Sequence, residues 1–203
     1  TGIRNTLVGA FAGDGLTDAD FNVAVGFGAL DVDVLGSKSV AIGRASLASQ
    51  NFTTATDSNN TAVGYGSLIA NTTGEYNVAV GATAGDALTT GSLNTAVGYN
   101  TLGVATTAAN NTALGGQALA VNTSGANNTA VGMNAMVANT TGAENTAVGA
   151  TAADAVTTAS SVTAIGYGAL GACTTGANNI AIGVGAPSSV TTSTYQLAIG
   201  DTA

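Results

Sequence analysis

From Asn60 to Tyr76 the chain reads NTAVGYGSLIANTTGEY, and from Asn128 to Glu144 it reads NTAVGMNAMVANTTGAE. Two stretches of 17 residues this alike, with a small-aliphatic-glycine box at the same place in each, are copies of one unit. Aligned on that glycine, copies extend in both directions. The glycines are Gly9, Gly26, Gly43, Gly64, Gly81, Gly98, Gly115, Gly132, Gly149, Gly166, Gly183 and Gly200, twelve in all, and ten of the eleven spacings are 17 residues. The exception is the 21-residue step from Gly43 to Gly64, whose four extra residues fall between Gln50 and Asn59, in a polar stretch expected to be an exposed loop. A short period sustained over the whole chain is the signature of a solenoid, in which each unit buries its apolar face only against its neighbours.

Numbering the unit from its asparagine, the glycine is position 5. Position 4 is always Val, Ile or Leu, and position 2 is Thr, Val, Ile or Leu, as in Thr61, Val78, Ile180 and Leu197. Alternation along a strand puts these two positions on one face, and their aliphatic character makes that face the expected interior. Position 3 is Ala in eleven of twelve copies, the exception being Leu7, and position 8 is Ala, Ser or Thr in all twelve. Such small columns imply that another backbone comes close, and parallel chains packing together on them is the expectation.

Position 1 is Asn at Asn5, Asn22, Asn60, Asn77, Asn94, Asn111, Asn128, Asn145 and Asn179. Stacked at equivalent sites, these side chains can form a hydrogen-bonded ladder along the rod, a structural role. The position-5 glycines, with Gly, Ala or Ser after Thr-Thr at position 15, mark two turns per coil, since such corners favour small residues and φ > 0. The expected fold is therefore all-β: a parallel β-solenoid of twelve coils of 17 residues, with two short strands in each coil. At about 4.8 Å per coil the rod is about 55 Å long. It forms one repeat domain over residues 1–203. The first box lies near Thr1 and the last copy stops at Ala203 within its repeat, so the chain is read as a fragment of a longer one. A longer rhythm is also visible. G-A-T-A-G-D-A-L at Gly81 to Leu88 matches Gly149 to Val156, and more loosely Gly9 to Leu16, placing Asp14, Asp86 and Asp154 at equivalent sites four repeats apart.

Composition narrows the function. The formal charge is -8, and the three cations, Arg4, Lys38 and Arg44, all lie within the first 44 residues. That excludes a phosphate-tracking nucleic-acid surface, and no nucleic-acid partner is expected. A basic face for anionic lipids is missing too, and no apolar run approaches the ~20 residues of a spanning helix, so no membrane insertion is expected. With no His and the single Cys173, neither a Ser-His or Cys-His pair nor an ordinary zinc site can be assembled. Cys173 is read as a small packed residue.

The residues Ser39-Val40-Ala41-Ile42-Gly43 look like the S-V-A-I-G motif of trimeric autotransporter adhesin heads, whose repeats are somewhat shorter. The N-T-A-V-G-Y-G-A-L form with its T-T-G turn, as in Asn60 to Gly74, more closely resembles repeats of bacteriophage tail fibres, notably of cyanobacterial hosts. The resemblance covers essentially the whole chain. The adhesin resemblance implies a left-handed parallel β-roll. Both imply a homotrimeric rod on an extracellular or virion surface, with the repeats serving as scaffold or adhesive stalk.

Two carboxylates suffice for polysaccharide cleavage, and Asp14, Asp18, Asp20, Asp31 and Asp33 cluster near the start. Without an accompanying aromatic cleft they read as solvated loops, so no enzyme, cofactor or metal site is expected; neither the EF-hand nor the calcium β-roll pattern occurs. Phe27, Tyr65, Tyr99 and Tyr167 share position 6 and could form an outward strip for glycan contact, though Arg44, Ala82, Gly116, Met133 and Asp201 occupy the same column. Thr-Thr pairs raise ice binding, but adjacent strand residues point to opposite faces and do not make a T-x-T array. The expected function is a non-enzymatic structural or adhesive segment, the shaft of a phage tail fibre or virion appendage involved in host attachment, touching a host-surface glycan or protein receptor. The alternative is the head of a bacterial cell-surface adhesin.

Overall fold

The computed structural model describes residues 2–186 and 191–201, so Thr1 and Ala203 lie outside the described residues. It is all-β: a parallel β-solenoid of about twelve turns. Each coil contributes one three-residue strand to a single sheet: β1 (Thr6–Val8), β2 (Val23–Val25), β4 (Val40–Ile42), β6 (Thr61–Val63), β7 (Val78–Val80), β8 (Thr95–Val97), β9 (Thr112–Leu114), β10 (Thr129–Val131), β11 (Thr146–Val148), β12 (Thr163–Ile165), β13 (Ile180–Ile182) and β14 (Leu197–Ile199). The pairs are in register, position 3 on position 3: Ala24 pairs with Ala41, Ala41 with Ala62, and Ala62 with Ala79. The 21-residue step is thus absorbed without shifting the ladder.

Among the described residues the expected second strand of each coil is not there, and only β3 (Gly36–Ser37) and β5 (Thr56–Asp57) form a second small sheet, beside the insertion. Elsewhere that side of the coil is a run of turns, because positions 7 and 9 take left-handed backbone, for example Thr83 at φ 52 and Leu68 at φ 50. Left-handed residues cannot continue an extended strand. The coils remain tied there by backbone bonds such as Leu68 N–H to Ala84 C=O at 3.0 Å and Thr72 N–H to Thr89 C=O at 2.8 Å. Nor is the insertion wholly exposed: Gln50, Phe52 and Ser58 are buried, and Phe52 N–H donates to Asp33 Oδ1 at 2.9 Å.

The interior is the reverse of the expected one. The position-3 alanines are sealed, Ala62, Ala79, Ala113 and Ala130 each at 0% exposure, while positions 2 and 4 look outward, with Val80 at 37% and Ile182 at 36%. Position 8 is buried as well, from Ala29 and Ser67 to Ala186. The small columns therefore meet backbone and side chains of their own coil, not a neighbouring chain. A coil this short leaves room for one large side chain facing the alanine. That residue is usually at position 9, as Leu30, Leu47, Leu68, Leu102, Leu119 and Leu170, all fully buried.

The longer rhythm has a packing explanation on the same terms. Where position 9 is small, at Gly13, Gly85 and Ala153, position 12 is large, at Leu16, Leu88 and Val156. A Cβ placed on Gly85 would lie 3.0 Å from Leu88 Cδ1, so the Leu88 side chain occupies the volume that position 9 fills in other coils. Interior volume is conserved while the residue supplying it changes place, as close packing requires.

Candidate functional site

The buried asparagines form a two-way clamp. Each Nδ2 donates to the position-15 carbonyl of its own coil: Asn60 to Gly74 at 2.7 Å, Asn77 to Gly91 at 2.8 Å, Asn128 to Gly142 at 2.9 Å. Asn5, Asn22, Asn94, Asn111, Asn145 and Asn179 do the same to Ala19, Gly36, Ala108, Gly125, Ala159 and Ser193. Each Oδ1 accepts the backbone N–H of position 1 in the next coil, as Asn60 does from Asn77 at 2.8 Å and Asn94 from Asn111 at 3.0 Å. The rungs are thus chiefly side chain to backbone; direct amide-to-amide bonds join Asn77 with Asn94 and Asn94 with Asn111. A buried amide with its hydrogen-bonding capacity committed this way rigidifies the coil and offers nothing to a ligand.

Where Ser39 interrupts the column, a separate buried network takes over. Ser39 and Ser58 hydroxyls are 2.8 Å apart, Gln50 Nε2 donates to Asp33 Oδ2 at 2.6 Å, and Asn60 Nδ2 donates to Gln50 Oε1 at 2.8 Å. Asp33 is therefore an anchor for the insertion, accepting also from Gly36 N–H, and not a free carboxylate. Asp20 accepts from Ile3 N–H, which makes it a link between the first coil and the residues before it.

Asp86 and Asp154 are held above the ordinary carboxylate pKa by burial, opposed by nearby backbone N–H groups. They stand four coils apart, about 19 Å, as do Asp14 and Asp86. Glycoside hydrolysis needs two carboxyls within about 10 Å, so these three cannot act as pairs. Among the described residues there is no pocket and no cluster of metal-ligating side chains. Cys173 is buried, its thiol directed at Gly176 C=O at 3.4 Å.

The position-5 glycines have backbone that only glycine adopts, with φ between 123 and 138, and a Cβ there would strike the carbonyl of the next coil's glycine: 2.4 Å for Gly132 against Gly149. The Thr at position 13 also has a structural task, Thr72 Oγ1 donating to Thr89 C=O at 3.0 Å and Thr140 Oγ1 to Thr157 C=O at 3.0 Å. Two of the outer surfaces are candidates for a partner. One is the sheet face made by positions 2 and 4, aliphatic in every coil at position 4 and Thr in seven of twelve coils at position 2, including Thr95, Thr112, Thr129, Thr146 and Thr163. The sequence reading missed it by turning it inward.

The other surface is position 6. Phe27, Tyr65, Tyr99 and Tyr167 are exposed at 53%, 56%, 63% and 64%. At its N-terminal end the Arg44 guanidinium lies over both Phe27 and Tyr65, 5.9 Å and 5.6 Å from the ring centroids, and Phe11 meets Phe27 edge to face at 5.5 Å. Compared with known proteins, the chain matches no protein-family model, no curated protein and no solved structure.

Proposed function

We propose that this chain is a non-enzymatic segment of an elongated fibre, in which further copies of itself cover the aliphatic sheet face, as a homotrimer. The observation that carries the reading is the outward column pair from Val23 and Val25 to Ile180 and Ile182, in which position 4 is aliphatic in every coil and position 2 is aliphatic or Thr, with Ile42, Val78, Val148 and Ile165 among its exposed members. A stripe about 43 Å long and about 10 Å wide is of the size of the largest apolar patches that monomers carry, patches that are often functional, and it is about half of what one partner contributes to a standard interface. Its strict in-register repetition suits a second rod laid parallel, each coil meeting its equivalent.

The resemblance to tail-fibre repeats adds the setting: a virion appendage outside the cell, holding a receptor-binding tip away from its base and taking part in host attachment. The head of a bacterial adhesin is the alternative setting for the same assembly. The interior supports a mechanical role, since the position-1 asparagines tie successive coils together and Asp33 anchors the insertion.

Sedimentation equilibrium of the chain tests the assembly. Three chains per particle are expected, and Val97→Lys with Val131→Lys, both at outward positions, is expected to give a monomer with unchanged circular dichroism. A wild-type monomer with the fold intact overturns the proposal. In that case the five successive threonines from Thr95 to Thr163, each with an aliphatic residue two positions on, form a regular outward T-x-V lattice, and adsorption to ice becomes the second reading, measured as thermal hysteresis.

A further inference from the structure

The outward column at position 6 alternates. Read along the rod it runs Ala10, Phe27, Arg44, Tyr65, Ala82, Tyr99, Gly116, Met133, Ala150, Tyr167, Val184, Asp201. From Phe27 to Tyr167 a large flat or flexible apolar side chain recurs at every second coil, and from Ala82 to Val184 the residue between is Ala, Gly or Val. At about 4.8 Å per coil the large residues recur about every 10 Å. All five are more than half exposed, Met133 at 60% among them, so no packing within the chain calls for the alternation. Along the column Tyr99 is flanked by Ala82 and Gly116, and Tyr167 by Ala150 and Val184.

We propose that this strip binds a neutral, extended β-1,4-linked polysaccharide lying along the rod axis. In such a polymer successive pyranose rings are flipped by half a turn, so every second sugar presents the same face. Its disaccharide repeat nearly equals two strand spacings, and platforms at every second coil, aromatic except at Met133, therefore meet equivalent sugar faces without strain in either partner. Stacking of an apolar sugar face on an aromatic ring uses the ring's large apolar area and its electron-rich face. Neutrality follows from the charge: a chain of net -8 repels an anionic polymer. Arg44 already sits between Phe27 and Tyr65, with Nη1 donating to Tyr65 Oη at 3.3 Å, so that end is self-paired. The open platforms are Tyr99, Met133 and Tyr167, spanning about 19 Å. Beside them in the adjoining column, Gln117 and Asn134 place amides for the sugar hydroxyls.

The inference rests on the fibre reading only in that a shaft presents its flank to a polysaccharide-coated surface. The test is retention of the full chain on microcrystalline cellulose and on chitin, with starch granules as the α-linked control, alongside the mass of each variant in solution. Retention is expected on at least one β-1,4 polymer and not on starch. Tyr99→Ala with Tyr167→Ala is expected to weaken it at least about fivefold, and Met133→Tyr to strengthen it severalfold. Equal retention on starch, or indifference to the double variant, overturns the inference while a trimeric mass leaves the fibre reading standing. A change of mass in Tyr99→Ala with Tyr167→Ala also overturns it, because the strip is then a contact between subunits.

Discussion

Replacing Gly132 by Ala is expected to break the rod locally, whereas replacing Gly66 by Ala is expected to be mild. Gly132 has φ 134, and a Cβ there would lie 2.4 Å from Gly149 O and 2.9 Å from Ala150 N. The backbone conformation alone costs about 1–3 kcal/mol for a residue with a side chain. Relief of the clash requires the two coils to part, weakening bonds such as Gly149 N–H to Val131 C=O, now 2.8 Å, at about 1 kcal/mol or more each. Together these give about 3–6 kcal/mol. Gly66 is also left-handed, at φ 61, but a Cβ there would meet nothing within 4 Å. Its column holds Ala45, Thr83 and Thr151 in other coils, so the expected cost is within about 1 kcal/mol after the loss of unfolded-chain freedom is counted. Chemical denaturation gives the global change, and hydrogen exchange at the Val131 and Gly149 amides locates it. Equal effects of the two substitutions would refute the reasoning, since the difference rests wholly on the inter-coil contact.

Leu88→Ala should cost about 2–5 kcal/mol, because Gly85 leaves nothing to close the cavity. Gly85→Leu with Leu88→Ala rebuilds the arrangement of Leu102 and Ala105 and should recover most of that loss, a coupling read from the double-mutant cycle of denaturation midpoints. Asp86→Asn should raise the melting temperature near pH 7 and leave it unchanged near pH 3. Burial favours the protonated carboxyl in the rod, so its folded pKa stands above the ordinary carboxylate value. Ionisation then destabilises the fold as pH rises through that interval, and the penalty is absent below it.

Period, register and the places of the turn glycines were legible because each leaves a column in the sequence, and every column survives as a line of residues along the rod. Which face pointed inward was not legible by the rule applied, that aliphatic columns are interior. A coil of this size encloses too little volume for two aliphatic columns on its strand. The column held to Ala is where volume is fixed, and the free exchange of Thr61, Val78, Ile180 and Leu197 marks a surface that tolerates any of them. The trade between Gly85–Leu88 and Leu102–Ala105 was the available signal for the true core, since only residues sharing one cavity compensate in this way. The second strand was misjudged because left-handed turns at non-glycine residues such as Leu68 and Leu119, stabilised by full burial and inter-coil bonds, leave no local mark. The position-6 column was noticed, but its two-coil alternation became meaningful only once the coils were stacked in register.

The arrangement of the coil and its assembly is tested most directly by placing one cysteine at Ala130 or at Val131, in a Cys173→Ala background, and oxidising the native protein. The two positions are neighbours on one strand and point to opposite sides of the sheet. Cross-linked dimers between chains are predicted for Val131→Cys and none for Ala130→Cys. Cross-linking through Ala130→Cys with none through Val131→Cys would contradict the account, putting the alanine face between chains and the aliphatic face inside the coil.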